Sequence, residues 1–293
     1  MRRLFILKQN VNVNKRGGGR LSSKIETIIQ TYSSRFTKSE IKIADYIKKY
    51  YENVMYLSIT ELSDLIGVGE ATILRFCRKI GYRGYQDFKL AIAKEPDNQK
   101  EGISEHSFID NIHQNLIESL NNTRYLIDEN ELEKACLLLD QVQHIYVYGV
   151  GSSGITATEA CSKLLRIGKH TQAITDSHFQ AMNSATLLAG DLIIAITVSG
   201  STIDVLEAVQ LAKERGCLVI AMTSYIKSPI TKLADVVLLT SGRENPLEGG
   251  SLSVKVSQLY LVDLLCRGVA LLDITQAEQM KKLTAEAVSN KLN

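Results

Sequence analysis

His144-Ile-Tyr-Val-Tyr-Gly-Val-Gly-Ser-Ser-Gly154 is the stretch on which the fold turns. Its first half is a short β-branched and aromatic run, the composition of a buried strand. Its second half is a glycine- and serine-rich turn, after which a helical pattern begins. A strand feeding a tight turn into a helix opens a βαβ unit. The helix start is an anion site in waiting, because its first N–H groups lack intrahelical partners. Outward from this stretch the alternation repeats, with apolar runs at 144–148, 172–174, 191–197, 217–223 and 235–240 separated by helical patterns. Such alternation predicts an α/β domain, a doubly wound parallel five-stranded sheet whose ligands sit at the carboxyl ends of the strands.

Two loops at those strand ends carry the chemistry. Gly149-Val-Gly-Ser-Ser-Gly154 matches G-x-G-x-x-G, and Asp176 stands 22 residues beyond Gly154, where a dinucleotide fold places its ribose acid. A nicotinamide enzyme is therefore one reading. The loop Thr197-Val-Ser-Gly-Ser-Thr202, after a different strand, decides against it. A dinucleotide needs one anion loop, whereas two hydroxyl-rich loops suit one phosphate on a polyol, and no centre for hydride transfer is in sight. Any single serine here reads equally well as a helix cap; it is the pair of loops that favours a ligand site.

At 293 residues the chain has room for two domains. With 45% hydrophobic and 23% charged residues, 3 Pro and 19 Gly, it is neither a disordered nor a collagen-like chain. The longest apolar runs, Leu192 to Val198 and Leu218 to Met222, are too short for a membrane span, and Leu4 to Leu7 is too short for a signal-peptide core. A cytoplasmic protein is expected. The five cysteines, Cys77, Cys136, Cys161, Cys217 and Cys266, are scattered and make no C-x-x-C pair, and the five histidines make no ligand pair at helical spacing. Reduced, mostly buried thiols, no metal and no cofactor are expected.

Charge divides the chain near Pro96. Residues 1–98 hold 18 Lys+Arg against 10 Asp+Glu, leaving 16 against 22 for the remainder, so the halves carry +8 and −6. The first half suits a polyanion. The polar segment Glu95-Pro-Asp-Asn-Gln-Lys-Glu-Gly102 separates two helical patterns and reads as a linker. The expected organisation is a basic, disordered arm at 1–21 with no assigned role, a basic domain at 22–98 and a linker with a helix at 99–130. A ligand-binding domain follows at 131–273, and a last helix at 274–293.

Within the basic half, Thr37-Lys-Ser-Glu40 has the form of a capping box and opens a helix running to about Tyr51. A second, short helix starts after Ser58 or Thr60 and stops at Gly67, and a third runs from Glu70 to Ile80 beyond the turn Gly67-Val-Gly69. Two short helices joined by a tight glycine turn form a helix-turn-helix. Either Ala71, Leu74 and Cys77 or Ile73, Phe76 and Ile80 pack inward, leaving Thr72, Arg75, Arg78 and Lys79 for a DNA groove, where Arg reads guanine edges bidentately.

The runs Ile43 to Ile47, Leu57 to Leu62 and Ala71-Thr-Ile-Leu-Arg-Phe-Cys-Arg-Lys-Ile-Gly-Tyr-Arg-Gly-Tyr-Gln-Asp-Phe88 resemble the N-terminal domain of RpiR-type (MurR/RpiR) bacterial regulators. The family usually has Ser where this chain has Gly69, the cap of the recognition helix. The second half resembles the SIS (sugar isomerase) domain through Tyr148 to Ile155, Lys163 to Gly168, Asp176-Ser-His178, Ile196 to Thr202 and Ser228-Pro-Ile230. The resemblance covers roughly residues 22–285. It implies a sugar phosphate held at Ser152, Ser153, Ser199, Ser201 and Thr202, with Thr197 where many relatives have Ser. Gly151, Gly200, Asp176, His178 and Glu248 complete the candidate ligand set. The candidate DNA set is Ser58, Thr60, Gly69, Glu70, Thr72, Arg75, Arg78 and Lys79.

The implied protein is a transcriptional regulator, a repressor of sugar or amino-sugar catabolism genes. Its expected partners are double-stranded operator DNA and a sugar-phosphate effector. A homodimer or homotetramer is expected, with Leu252 to Leu272 and Ile274 to Leu292 pairing subunits. The alternative is a sugar-phosphate isomerase-like enzyme of the SIS class. For it Glu159, Asp176, His178, Glu207, Glu244 and Glu248 offer proton-moving groups, although each also reads as surface charge or cap.

Overall fold

A computed structural model of the chain describes residues 24–95, 107–242, 247 and 249–289. The expected basic arm, most of the linker, Glu244 and Glu248 lie outside the described residues.

The first unit is helical: α1 Lys24–Tyr32, α2 Lys38–Lys49, α3 Tyr51–Val54, α4 Ile59–Ile66, α5 Glu70–Lys79 and α6 Tyr85–Ala93. Helix α2 begins in the predicted capping box, with the Thr37 N–H donating to Glu40 Oε2 at 2.7 Å and the Glu40 N–H donating to Thr37 Oγ1. Ser58 and Glu61 form a second such box on α4, both bonds at 3.0 Å. Gly67 closes α4 in the left-handed region at φ 71°, turning the chain into α5. Of the two inward sets on α5, the helix buries Ile73, Phe76, Cys77 and Ile80, while Ala71 is exposed and Leu74 only half-buried. Phe76 packs tilted on Phe36 at 5.2 Å and joins Ile25, Ile29, Ile43, Ile47, Leu62, Phe88 and Ile92 in one core.

The second unit begins with α7 Phe108–Leu126 and α8 Glu129–Gln141. It continues β1 Ile145–Tyr148, α9 Ser152–Arg166, β2 Thr171–Ile174, α10 Ser177–Thr186, β3 Leu192–Ile196, α11 Ile203–Glu214, β4 Leu218–Thr223 and β5 Val236–Leu239. It ends with α12 Leu252–Leu272 and α13 Ile274–Ser289. All pairings are parallel and the order is β2-β1-β3-β4-β5. Strand β3, at the centre, is buried at every position, as expected of a parallel sheet covered on both faces. One face packs Val147, Ile194, Ile196, Ile220 and Met222 against α8, α9 and α12; the other packs Tyr148, Ile193, Ala195, Val219 and Ala221 against α10 and α11.

Helix α12, a candidate for pairing subunits, places one face, Leu261, Val262, Leu265, Cys266 and Val269, in the chain's own core. That face is closed to a partner; Leu252, Leu271 and Leu272 of α12 and Ile274 and Leu283 of α13 remain exposed. A buried hydroxyl cluster fastens α7 to α12 and to the end of β5. Ser119 Oγ lies 2.6 Å from Ser257 Oγ, Ser241 Oγ donates to Ser119 O at 2.7 Å, and the Ser241 N–H donates to Thr123 Oγ1 at 3.0 Å. Among the described residues no helix is long and apolar enough to cross a membrane.

Candidate functional site

The strand order places the site. From β1 the chain crosses to β2 on one side, and from β3 it crosses to β4 on the other, so the loops after these two adjacent strands open side by side at the carboxyl edge. The first loop is narrow: a Cβ on Gly149 would lie 2.7 Å from Ser153 O, and Gly151 takes φ 55° before α9 starts at Ser152. No side chain caps α9, so its first N–H groups are left for something else. The second loop is laced by its own hydroxyls. Ser201 Oγ and the Ser201 N–H both donate to Ser199 Oγ, at 3.1 and 3.2 Å, and Thr197 Oγ1 lies 2.9 Å from Thr202 Oγ1. Gly200 sits at φ 61°, where a Cβ would fall 2.1 Å from Ser228 Oγ.

A cation also reaches this edge. Lys255, on the first turn of α12, donates its ammonium to Ser152 O and, at 3.1 Å, to Thr156 Oγ1. Three residues on, Gln258 Nε2 donates to Ser153 Oγ at 3.4 Å, and Gln258 Oε1 accepts from Thr156 Oγ1 at 2.7 Å. Just ahead of α12, a Cβ on Gly250 would stand 3.5 Å from Ser152 Oγ, so this glycine segment closes over the first loop. An ammonium and an uncapped helix N-terminus are both positive, and they are brought together at one edge with hydroxyl donors around them. That arrangement favours an anion carrying several oxygens.

Gly151, Ser152, Ser153, Thr197, Ser199, Gly200, Ser201 and Thr202 thus come together on two neighbouring loops. Asp176 and His178 lie one strand farther out, beyond β2, and both are exposed. The Asp176 carboxylate caps α10, accepting from the Phe179 N–H at 3.0 Å. Glu248 lies outside the described residues. Lys255 and Gln258 escaped the reading of the sequence. They sit about a hundred residues downstream on a helix that reads as apolar, and only the return of α12 to the sheet brings them here.

The candidate DNA set is spread over α4 and α5. Arg75 and Arg78 are exposed on α5, with Thr72 half-buried beside them and accepting from Arg75 Nη2 at 3.1 Å. Glu70 is held by Thr60, whose Oγ1 donates to Glu70 Oε1 at 2.7 Å and so ties the two helix starts together. Gly69 caps α5 at φ −70°, ψ 148° with no side-chain bond. Lys79 and Ser58 are engaged by distant parts of the chain. Lys79 pairs with the buried Glu40 at 2.6 Å and donates to Arg35 O at 3.2 Å, so its charge serves the α2–α5 contact. Ser58 is only 5% exposed and donates through Oγ to Lys227 O at 3.1 Å.

Comparison with known proteins follows this division. A family model described as the helix-turn-helix domain of the rpiR family matches residues 23–99, and one for the SIS domain matches residues 138–267. An uncharacterised HTH-type transcriptional regulator of Haemophilus influenzae is 36% identical over 259 residues, covering 84% of this chain and 88% of its own. The HTH-type transcriptional regulator RpiR of Escherichia coli K12 is 28% identical over 249 residues, covering 82% and 84%. Among solved structures, the Vibrio vulnificus NanR protein complexed with ManNAc-6P has a TM-score of 0.84 at 32% identity, covering 90% of this chain and 97% of that one.

Proposed function

The chain belongs to the RpiR family of helix-turn-helix transcriptional regulators with an SIS domain, and from that premise we propose that it is a repressor of sugar or amino-sugar catabolism genes. On this reading a sugar phosphate binds across the crevice between the loops after β1 and β3. The observation that carries it is the Lys255 ammonium beside Ser152 at the uncapped start of α9, with Ser199, Ser201 and Thr202 on the loop after the adjacent strand. The phosphate takes the N–H groups and hydroxyls of the two loops. Asp176 and His178, at the neighbouring strand end, face the sugar, and Glu248 completes the ligand set. The likeness to a NanR solved with ManNAc-6P makes N-acetylmannosamine 6-phosphate the first compound to try.

The helical half grips operator DNA through α5, with Arg75 and Arg78 at base edges and Thr72 and the α4 and α5 starts at phosphates. Two such halves in a homodimer or homotetramer match two half-sites. The effector acts by binding the DNA-competent and DNA-incompetent arrangements unequally, since equal affinity shifts nothing. The protein is read as a cytoplasmic binder with no catalytic residues. The carboxylate of Asp176 already serves as a helix cap, and the relatives named above carry regulator names.

The test is fluorescence anisotropy of the full chain on DNA from upstream of its own gene, at fixed salt, with N-acetylmannosamine 6-phosphate and a panel of other hexose and amino-sugar phosphates. Binding that one phosphate changes supports the reading, and Lys255→Met should abolish that response while leaving ligand-free DNA affinity within about two-fold. Failure to bind this DNA under any condition, together with turnover of an aldose or ketose phosphate, moves the isomerase reading to the front.

A further inference from the structure

Among the described residues, a short peptide of the second unit is hydrogen-bonded to the helical unit. The loop after β4, Tyr225 to Ser228, meets the helical domain at three points. Tyr225 OH donates to Tyr56 O at 2.8 Å, Ser58 Oγ donates to Lys227 O at 3.1 Å, and the Lys227 ammonium pairs with Asp64. The contact is closed to solvent at its centre, with Tyr225 4% and Ser58 5% exposed. It covers the start of α4, the first helix of the helix-turn-helix, whose cap and leading N–H groups are what a DNA backbone would approach.

The other side of the same peptide is locked to the phosphate-loop candidate. Val198 O accepts from the Ser224 N–H at 3.0 Å and from Thr223 Oγ1 at 3.1 Å, and Gly200 O accepts from the Ile230 N–H at 3.0 Å. Ser228 Oγ rests against Gly200, where no side chain fits, and donates to Tyr225 O at 2.9 Å. A change in the Thr197 to Thr202 loop therefore has a direct mechanical route to Tyr225 and Lys227, and through them to α4.

We propose that the Tyr225 to Ser228 loop is an autoinhibitory latch: it holds the start of α4 against the SIS domain in an arrangement that excludes DNA, and its grip is set by the loop that receives the ligand. The proposal rests on the regulatory reading above. A neutral hydrogen bond of this kind is worth about five-fold in an equilibrium, and an exposed ion pair at most about as much. Population shift does the rest: DNA binds only the open fraction, so loosening the latch raises apparent affinity.

The experiment compares the wild-type chain with Tyr225→Phe/Lys227→Ala and with Tyr225→Phe alone, a conservative change that keeps the packed ring. Both leave every candidate DNA and ligand residue in place. Operator affinity is measured by anisotropy without sugar phosphate, and amide hydrogen exchange of residues 56–64 is measured without DNA. The latch predicts operator binding about five- to twenty-fold tighter in the double variant, an intermediate gain in Tyr225→Phe, and faster exchange at 56–64 in both. Unchanged or weaker operator binding, or unchanged exchange, overturns it. Absence of DNA binding by wild type and variants alike would instead count against the regulatory reading, while the exchange measurement, made without DNA, would still decide whether the loop holds the helix.

Discussion

Gly69 is the least constrained of the candidate site residues. Its backbone angles are those of an ordinary cap, and a Cβ added there would meet nothing within 4 Å. Gly69→Ser should therefore stabilise the chain by a few tenths of a kcal/mol, through a hydroxyl accepting from the first N–H groups of α5. Differential scanning calorimetry should register a rise of about 1 °C in the melting of the helical domain. Lys79 illustrates what single residues conceal. Helical spacing puts it on the outer face beside Arg78, yet its partner Glu40 lies 39 positions earlier, and nothing local announces that pairing. Ser58 is similar: its role as a cap follows from Glu61 three residues on, whereas its burial depends on Lys227, 169 positions away. Local chemistry was legible in the sequence, and these non-local commitments were not.

At the scale of elements, α5 and α2 behave as a charged pair of helices. Burial by itself would raise the Glu40 carboxyl, but the Lys79 ammonium and the two Thr37 bonds outweigh it and hold the group below its ordinary value. A carboxylate depressed in the folded state contributes stability that is complete above the unfolded value near 4.5 and is lost as the pH falls through the folded one. Glu40→Gln should accordingly flatten the acid limb of the helical domain's melting temperature between pH 6 and pH 3, as followed by circular dichroism. The exposed arginines of α5 answer to salt instead. Arg75→Ala/Arg78→Ala should weaken operator binding and reduce the slope of log K against log salt by up to about two; an unchanged affinity together with an unchanged slope would remove α5 from the interface. The five strands and α5 itself stood out in the sequence because short apolar runs and a 3.6-residue period are read within one element. The first helix, Lys24–Tyr32, carries the same signal in Ile25, Ile28 and Ile29 but adjoins the basic arm and was not picked out. The position of α12 over α9 was invisible, since apolar spacing says that a helix is buried without saying against what.

Across the whole molecule the charge division and the thiols point the same way. Every cysteine is free, and burial pushes Cys77 and Cys266 up to about 12 and Cys136 to about 11, with Cys161 and Cys217 also raised. A thiolate is the reactive form, so the native chain should react slowly with Ellman's reagent at pH 8. All five thiols should react at once in denaturant. Rapid release of several equivalents from the folded chain would contradict the packing of both cores. The two-part architecture was legible from the +8 and −6 halves and from the polar stretch around Pro96. The contact between the halves was not, because Tyr225, Lys227, Tyr56 and Asp64 have no pattern until the two folds are set side by side.

Gly200 has a consequence for how such a protein diversifies. Its left-handed backbone and the 2.1 Å that separates a notional Cβ from Ser228 Oγ mean that no side chain can arrive at 200 while 228 stays as it is. The two positions are sterically bound, and a variant bearing Asn or Ser at 200 is expected to need a smaller residue, or a displaced turn, at 228. The hydroxyl-bearing positions at the starts of α9 and α11 meet no backbone veto of that kind; their constraint is the hydrogen bonds among their own side chains. On the proposed reading, ligand preference drifts in small steps on those helix starts, while the junction between the Thr197 to Thr202 loop and the helical half changes only by paired substitution.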